Sequence, residues 1–204
     1  LWEKIRNVAV EPLGLAITLV VGQIFYMMNF TSIIAISRES KNAIITKFIP
    51  ISLIKQFNLK IAIGTRTNMF AAILITLFYY MCTKKVIVSL VIFALLYLIN
   101  RIGEKFKILI DLHKPQLVWD TEYTMMKQNT NIMYELFYSL LVAATFYLIS
   151  RLTPNANLFL IVVAAILGIV NIMYNEYIRK NIYNFQSICY SFRQKEIKMM
   201  EKTA

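Results

Sequence analysis

The chain has 204 residues, 58% of them hydrophobic and 16% charged, against about 25% charged in ordinary globular domains. Its mean hydropathy of +0.58 implies more apolar surface than a soluble domain of this length can hide, whereas a bilayer would cover it, so an ordinary soluble enzyme is excluded. The net charge of +11 lies between the apolar runs, where the positive-inside bias of membrane proteins explains it and no nucleic-acid partner is expected.

A helix needs about 20 apolar residues to cross a hydrocarbon core of roughly 30 Å. The chain opens at Leu1 with a charged amphiphilic stretch, Trp2 to Glu11, and shows no cleavable signal peptide. Leu13 to Ile36 follows, 24 residues without a charge and the first predicted span. Thr67 to Thr83 and Val86 to Asn100 are charge-free over 17 and 15 residues and are separated only by Lys84 and Lys85. They read as a helical hairpin whose lysines snorkel outward and whose first helix extends back through Ile61 to Arg66. From Gln128 to Ser150 only Glu135 is charged, within about one turn of the helix start and therefore at interfacial depth. Leu152 to Asn175 is the last run, with a turn at Thr153, Pro154 and Asn155 and with Asn157 as cap. The predicted fold class is an all-α, polytopic transmembrane helix bundle of about five spans joined by amphipathic connecting helices. The spans fall near residues 13–36, 63–83, 86–101, 131–150 and 157–178 of a single transmembrane domain covering 1–204.

The connections 37–62, 102–130 and 179–204, with their flanking residues, hold 17 of the 22 Lys and Arg, and the other set holds 5. That asymmetry places the three connections and the C-terminus in the cytoplasm. Cys82 and Cys189 then lie on opposite sides of the membrane, so no intrachain disulfide and no Cys/His metal site is expected. An odd number of spans with an outside N-terminus fits the C-terminal portion of a longer permease.

Two connections read as more than loops. In Ser37 to Lys60, apolar residues recur at three- and four-residue spacings on either side of Pro50, which predicts two short amphipathic helices broken at the proline. Such helices either anchor in the interface or dock on a partner, and the spacing does not choose between these. Arg101 to Asn131 carries Glu104, Asp111, Asp120 and Glu122 among its basic residues. Asp120 and Glu122 resemble a catalytic pair only superficially, because an i, i+2 spacing points the side chains apart on a helix and His113 stands alone. Capping of a helix near Thr121 or pairing with lysines is the expected role. Glu176 is expected to pair locally with Arg179 or Lys180.

The spans themselves show no midplane ionisable residue, and their polar content is Gln23, Asn29, Thr31, Ser32, Thr76, Ser89, Ser139, Thr145 and Asn171. No catalytic, metal or cofactor site is expected in them. A membrane domain driven from outside, or a structural subunit, is the reading that follows.

Two strings narrow it: SRESKNAIITKFIPISLIKQ at 37–56 and DLHKPQLVWDTEYTMMKQNTN at 111–131. Together they resemble the patterns "SREGKN…K…LPIS…KQ" and "DL..P.L.WD.EY..VKQN.N" of ATP-binding-cassette exporter permeases of Gram-positive bacteria. Ser40 departs from the pattern, standing where glycine is expected. The resemblance implies a permease component of an ATP-driven exporter in the bacterial plasma membrane, not itself an enzyme. ATP would be bound and hydrolysed by a separate cytoplasmic ATPase subunit, and a second permease half or a homodimer would complete the path. It also implies that Arg38, Glu39, Lys41, Asn42, Pro50, Lys55, Gln56, Asp111, Pro115, Trp119, Asp120, Glu122, Lys127 and Gln128 lie in segments that approach the ATPase. The competing expectation is a non-transporting membrane scaffold or assembly subunit whose basic surface recruits a cytoplasmic partner or anionic lipid.

Overall fold

The computed structural model describes residues 7–39, 49–115, 121, 123 and 129–181. Five helices carry the fold: α1 Pro12–Met27, α2 Leu53–Thr83, α3 Val86–His113, α4 Asn131–Leu152 and α5 Ala156–Asn181. The last four are long and apolar enough to cross a membrane, and α1, at 16 residues, is a shorter apolar helix.

The first predicted span is therefore not one helix. Proline at the start of α1 fits the position where no N–H partner is needed. The helix stops at Met27 although no proline or glycine follows. Asn29 ends it, because its Oδ1 accepts the Thr31 N–H at 3.0 Å and the Thr31 hydroxyl at 2.5 Å, a local turn that competes with the helical backbone. Residues 28–39 then run as turns along the inside of the bundle, with Ser32, Ile33 and Ile36 fully buried.

The second and third helices are longer than expected. No break separates the segment after Pro50 from the span, since α2 is continuous for 31 residues from Leu53. Likewise α3 runs 28 residues and takes in the first half of the predicted connection 102–130. The tight turn between them is present: Lys84 adopts φ 57°, the left-handed region, and its N–H closes α2 on the Tyr80 carbonyl at 2.8 Å. At the start of α5 the Asn155 carbonyl, and not Asn157, accepts from Phe159 N–H at 3.0 Å.

Helix α3 packs against all four others. Leu15 and Leu19 of α1, Ala72 and Tyr79 of α2, Ile92 and Leu96 of α3, Phe146 of α4 and Phe159 of α5 share one apolar core. The outer surface is apolar as well: Phe70, Phe78 and Leu141 are 69%, 68% and 66% exposed. Meanwhile Asn68, Asn100, Glu104, Lys105, Lys107, Asp111 and Glu135 are buried. Apolar outside with charge inside suits lipid as the surrounding solvent and reverses the arrangement of a water-soluble domain.

Close approach of α2 to α3 depends on Gly64. A Cβ there would overlap the Glu104 carboxylate and the Ser32 hydroxyl. Gly64→Ala should therefore lower stability by about 1–3 kcal/mol despite the better helix propensity of alanine, read as a lower denaturant midpoint in micelles. An unchanged or raised midpoint would contradict the tight crossing.

Candidate functional site

Along α3, Asn100, Glu104, Lys107 and Asp111 are spaced by four, three and four residues, which lines them up on one face of the helix. That face points at the turns after α1, at the middle of α2 and at the start of α4. Because α3 is helical here, Glu104, Lys105, Lys107 and Asp111 are buried and not the solvated loop charges expected of residues 102–130.

Lys107 is the centre of the network. Its ammonium donates to the carbonyls of Tyr26 at 2.6 Å and Asn29 at 2.7 Å, at the end of α1, where the Tyr26 carbonyl also accepts the Asn29 N–H at 3.2 Å. It also meets Glu104 Oε1 at 3.2 Å and Glu135 Oε1 at 2.9 Å, with all three side chains at most 3% exposed. Glu104 accepts further hydrogen bonds from the Ser32 hydroxyl and from Asn68 Nδ2 at 3.1 Å. Asn68 also donates to Asn100 Oδ1 at 2.8 Å, Asn100 donates to the Thr65 carbonyl at 2.9 Å, and Asn29 donates to Asn68 Oδ1 at 2.8 Å. Residues from α2, α3 and the 28–39 segment thus form one hydrogen-bonded unit, to which Glu135 of α4 is joined by its ion pair with Lys107.

One turn further along α3, Asp111 does the complementary job. Its Oδ2 accepts the backbone N–H groups of Ile36 at 2.7 Å and Ser37 at 3.0 Å, its Oδ1 accepts the Ser37 hydroxyl, and Asn131 Nδ2 approaches at 3.4 Å. The carboxylate caps the short helical turn 37–39 as an N-cap side chain would. Lys107 and Asp111, four residues apart, therefore hold the carbonyl end and the N–H end of the same connecting segment.

On the opposite side, buried Lys105 donates to Asn171 and, at 2.7 Å, to Asn175, tying α3 to α5. A groove of about 660 Å³ opens between α3, α4 and α5, with mostly apolar and aromatic walls and with Lys114 and His113 among its lining residues. His113 is not alone: Nδ1 lies 2.7 Å from the Leu109 carbonyl and Nε2 3.3 Å from the Tyr177 hydroxyl. Among the described residues no group of three His, Cys, Asp or Glu side chains is placed to hold a metal ion.

Of the residues singled out by the resemblance, those within the described part separate into three groups. Asp111 is at the centre of the clamp, and Pro115 is buried just beyond it. Glu39 pairs with Lys60 of α2 at 2.6 Å beside exposed Arg38. Pro50 and Lys55 are exposed at the start of α2, where Gln56 Nε2 donates to the Ile51 carbonyl at 2.8 Å. Lys41, Asn42, Trp119, Asp120, Glu122, Lys127 and Gln128 lie outside the described residues. The local pair of Glu176 with Arg179 is present at 3.7 Å and exposed.

Sequence reasoning missed Glu104, Lys107 and Glu135. Glu135 is near the start of α4, as expected, but it faces the bundle interior at 2% exposure. The available signal was the unbroken helical pattern from Val86 to His113, which puts Glu104 and Lys107 on the Asn100 face.

The fold and site together define an all-α bundle with membrane-crossing helices and an internal charge network at one end. Comparisons with family models, curated proteins and solved structures find no match to this chain.

Proposed function

We propose that the chain is the membrane-spanning permease component of an ATP-driven exporter, part of a translocation path coupled to a separate ATPase subunit. The observation that carries this reading is the clamp. Ser37 and Asp111, which begin the two segments resembling exporter permeases, bond directly to each other although 74 residues apart. Movement imposed on Arg38 or Glu39 from outside the membrane would pass through Asp111 into α3, which touches α1, α2, α4 and α5. A bundle driven in this way needs a stiff link more than a catalytic group. The excess of Lys and Arg at this end supports a cytoplasmic orientation, which in a bacterial plasma membrane would be within reach of an ATPase. A second permease half would close the path.

Copurification tests the reading. The full-length permease should bring down an ATPase encoded beside it. Replacing both Arg38 and Glu39 with alanine should cut the vanadate-sensitive activity of the complex about fivefold or more. If no ATPase associates and the double variant changes nothing, the exporter reading falls and the scaffold reading replaces it.

A further inference from the structure

Charge in the buried network does not balance. With Glu104 and Glu135 ionised and Lys107 protonated, the group holds one excess negative charge away from water, which desolvation opposes strongly. Donors are equally short. An ammonium has three N–H groups, and the Tyr26 and Asn29 carbonyls take two of them, leaving one for two carboxylates. Glu104 has other donors in Ser32 and Asn68. Glu135 has none: Lys107 Nζ stands at ion-pair distance from Oε1, and Oε2 lacks a hydrogen-bond donor among the described residues.

The same seam between α1 and α4 holds two more buried atoms without hydrogen-bond partners among the described residues, Gln23 Oε1 and the Tyr26 hydroxyl. Gln23 Nε2 donates to Ser139 at 3.2 Å, and Ser139 is one turn along α4 from Glu135. Gln23 and Tyr26 are likewise one turn apart on α1.

We propose that Glu135 is a proton-binding site whose occupancy changes with the state of the bundle. A proton from water adds one O–H bond to a carboxylate oxygen and cancels the excess charge. It turns an acceptor-only group into one that can also donate, and it leaves the third Lys107 N–H to Glu104. Loss of the proton restores the full attraction between Lys107 and Glu135 and draws α4 towards α3. Glu135 lies about 6 Å along α4 from Asn131, a short way in from the end of the bundle. The charged groups acting on it are Lys107, at ion-pair distance, and Glu104, both from α3. Tyr134 and Tyr138 are its titratable neighbours on α4, and no charged side chain of α2 or α5 acts on it among the described residues. The proposal goes beyond the exporter reading and does not rest on it.

Difference infrared spectroscopy of the full chain in lipid nanodiscs, titrated in potassium buffer with and without sodium, tests it. The wild-type chain should show the carbonyl band of a protonated carboxyl that disappears as pH rises, and Glu135→Gln should lack that band. Glu104→Gln removes the neighbouring negative charge, so its titration midpoint should fall by about one pH unit or more, a tenfold weaker proton affinity. The second variant decides the matter even if the first fails to fold. A missing band, a band that persists in Glu135→Gln, an unmoved midpoint in Glu104→Gln, or a midpoint displaced by sodium overturns the assignment. None of these outcomes alters whether an ATPase copurifies.

Discussion

Lys107→Ala should be the most damaging single substitution in the bundle, lowering its stability by about 3–5 kcal/mol in a denaturant titration in mixed micelles. The change leaves Glu104 and Glu135 buried within the same space with no cation between them, and it strips the Asn29 carbonyl of its donor and the Tyr26 carbonyl of one of two. The cost is the desolvation of groups that have lost a partner, which exceeds the net value of the ion pairs themselves. Lys107→Met keeps the stem packing and should destabilise nearly as much, which separates loss of charge from loss of volume. If Lys107→Met is close to neutral, the charge is not what holds the site.

The second large effect is expected at Asp111. Asp111→Ala removes the acceptor for the Ile36 and Ser37 N–H groups and the Ser37 hydroxyl, all buried. Stability should fall by about 2–4 kcal/mol, because each orphaned buried donor costs about 1–3 kcal/mol and residues 31–39 regain some access to water. Asp111→Asn retains one carbonyl oxygen and should lose about half as much. If the exporter reading holds, Asp111→Asn in an otherwise folded complex should also weaken the dependence of ATP hydrolysis on transport. Equal stability of both variants and wild type would mean that the segment is held by its apolar contacts alone, through Ile33 and Ile36.

The overall architecture was legible because a bilayer imposes long charge-free runs, and the runs starting near Val86, Asn131 and Ala156 are in fact helices. Two of the departures share a cause. Counting charge-free residues ends a span at the first Lys or Arg, so the helix predicted to end near Arg101 hid its own continuation to His113. The same count fused α1 with the turns up to Ile36, because Asn29 and Thr31 carry no charge and break the helix only through hydrogen bonds to their own neighbourhood. Hydropathy registers neither event.

The candidate site was half legible. Asp111 stood out by resemblance, but its partner turned out to be backbone at Ile36 and Ser37, a contact across 74 residues that no local pattern announces. The sequence gives the depth of Glu135, which is a different coordinate from its facing. Depth follows from position along the helix, whereas facing depends on which neighbour presents a Lys, and Lys107 falls in the predicted connection 102–130. Once α3 is continued, the spacing of Asn100, Glu104, Lys107 and Asp111 makes the polar face visible in the sequence itself.

The claim on which the rest depends is that Lys107 and Glu135 face each other inside the bundle and join α3 to α4. A double-mutant cycle with Lys107→Met, Glu135→Gln and the combined variant, followed by unfolding in mixed micelles, measures that contact directly. A coupling of about 1–3 kcal/mol, with the double variant clearly more stable than the sum of the single losses predicts, is the expected result. Additive losses would place the two side chains apart and contradict the account.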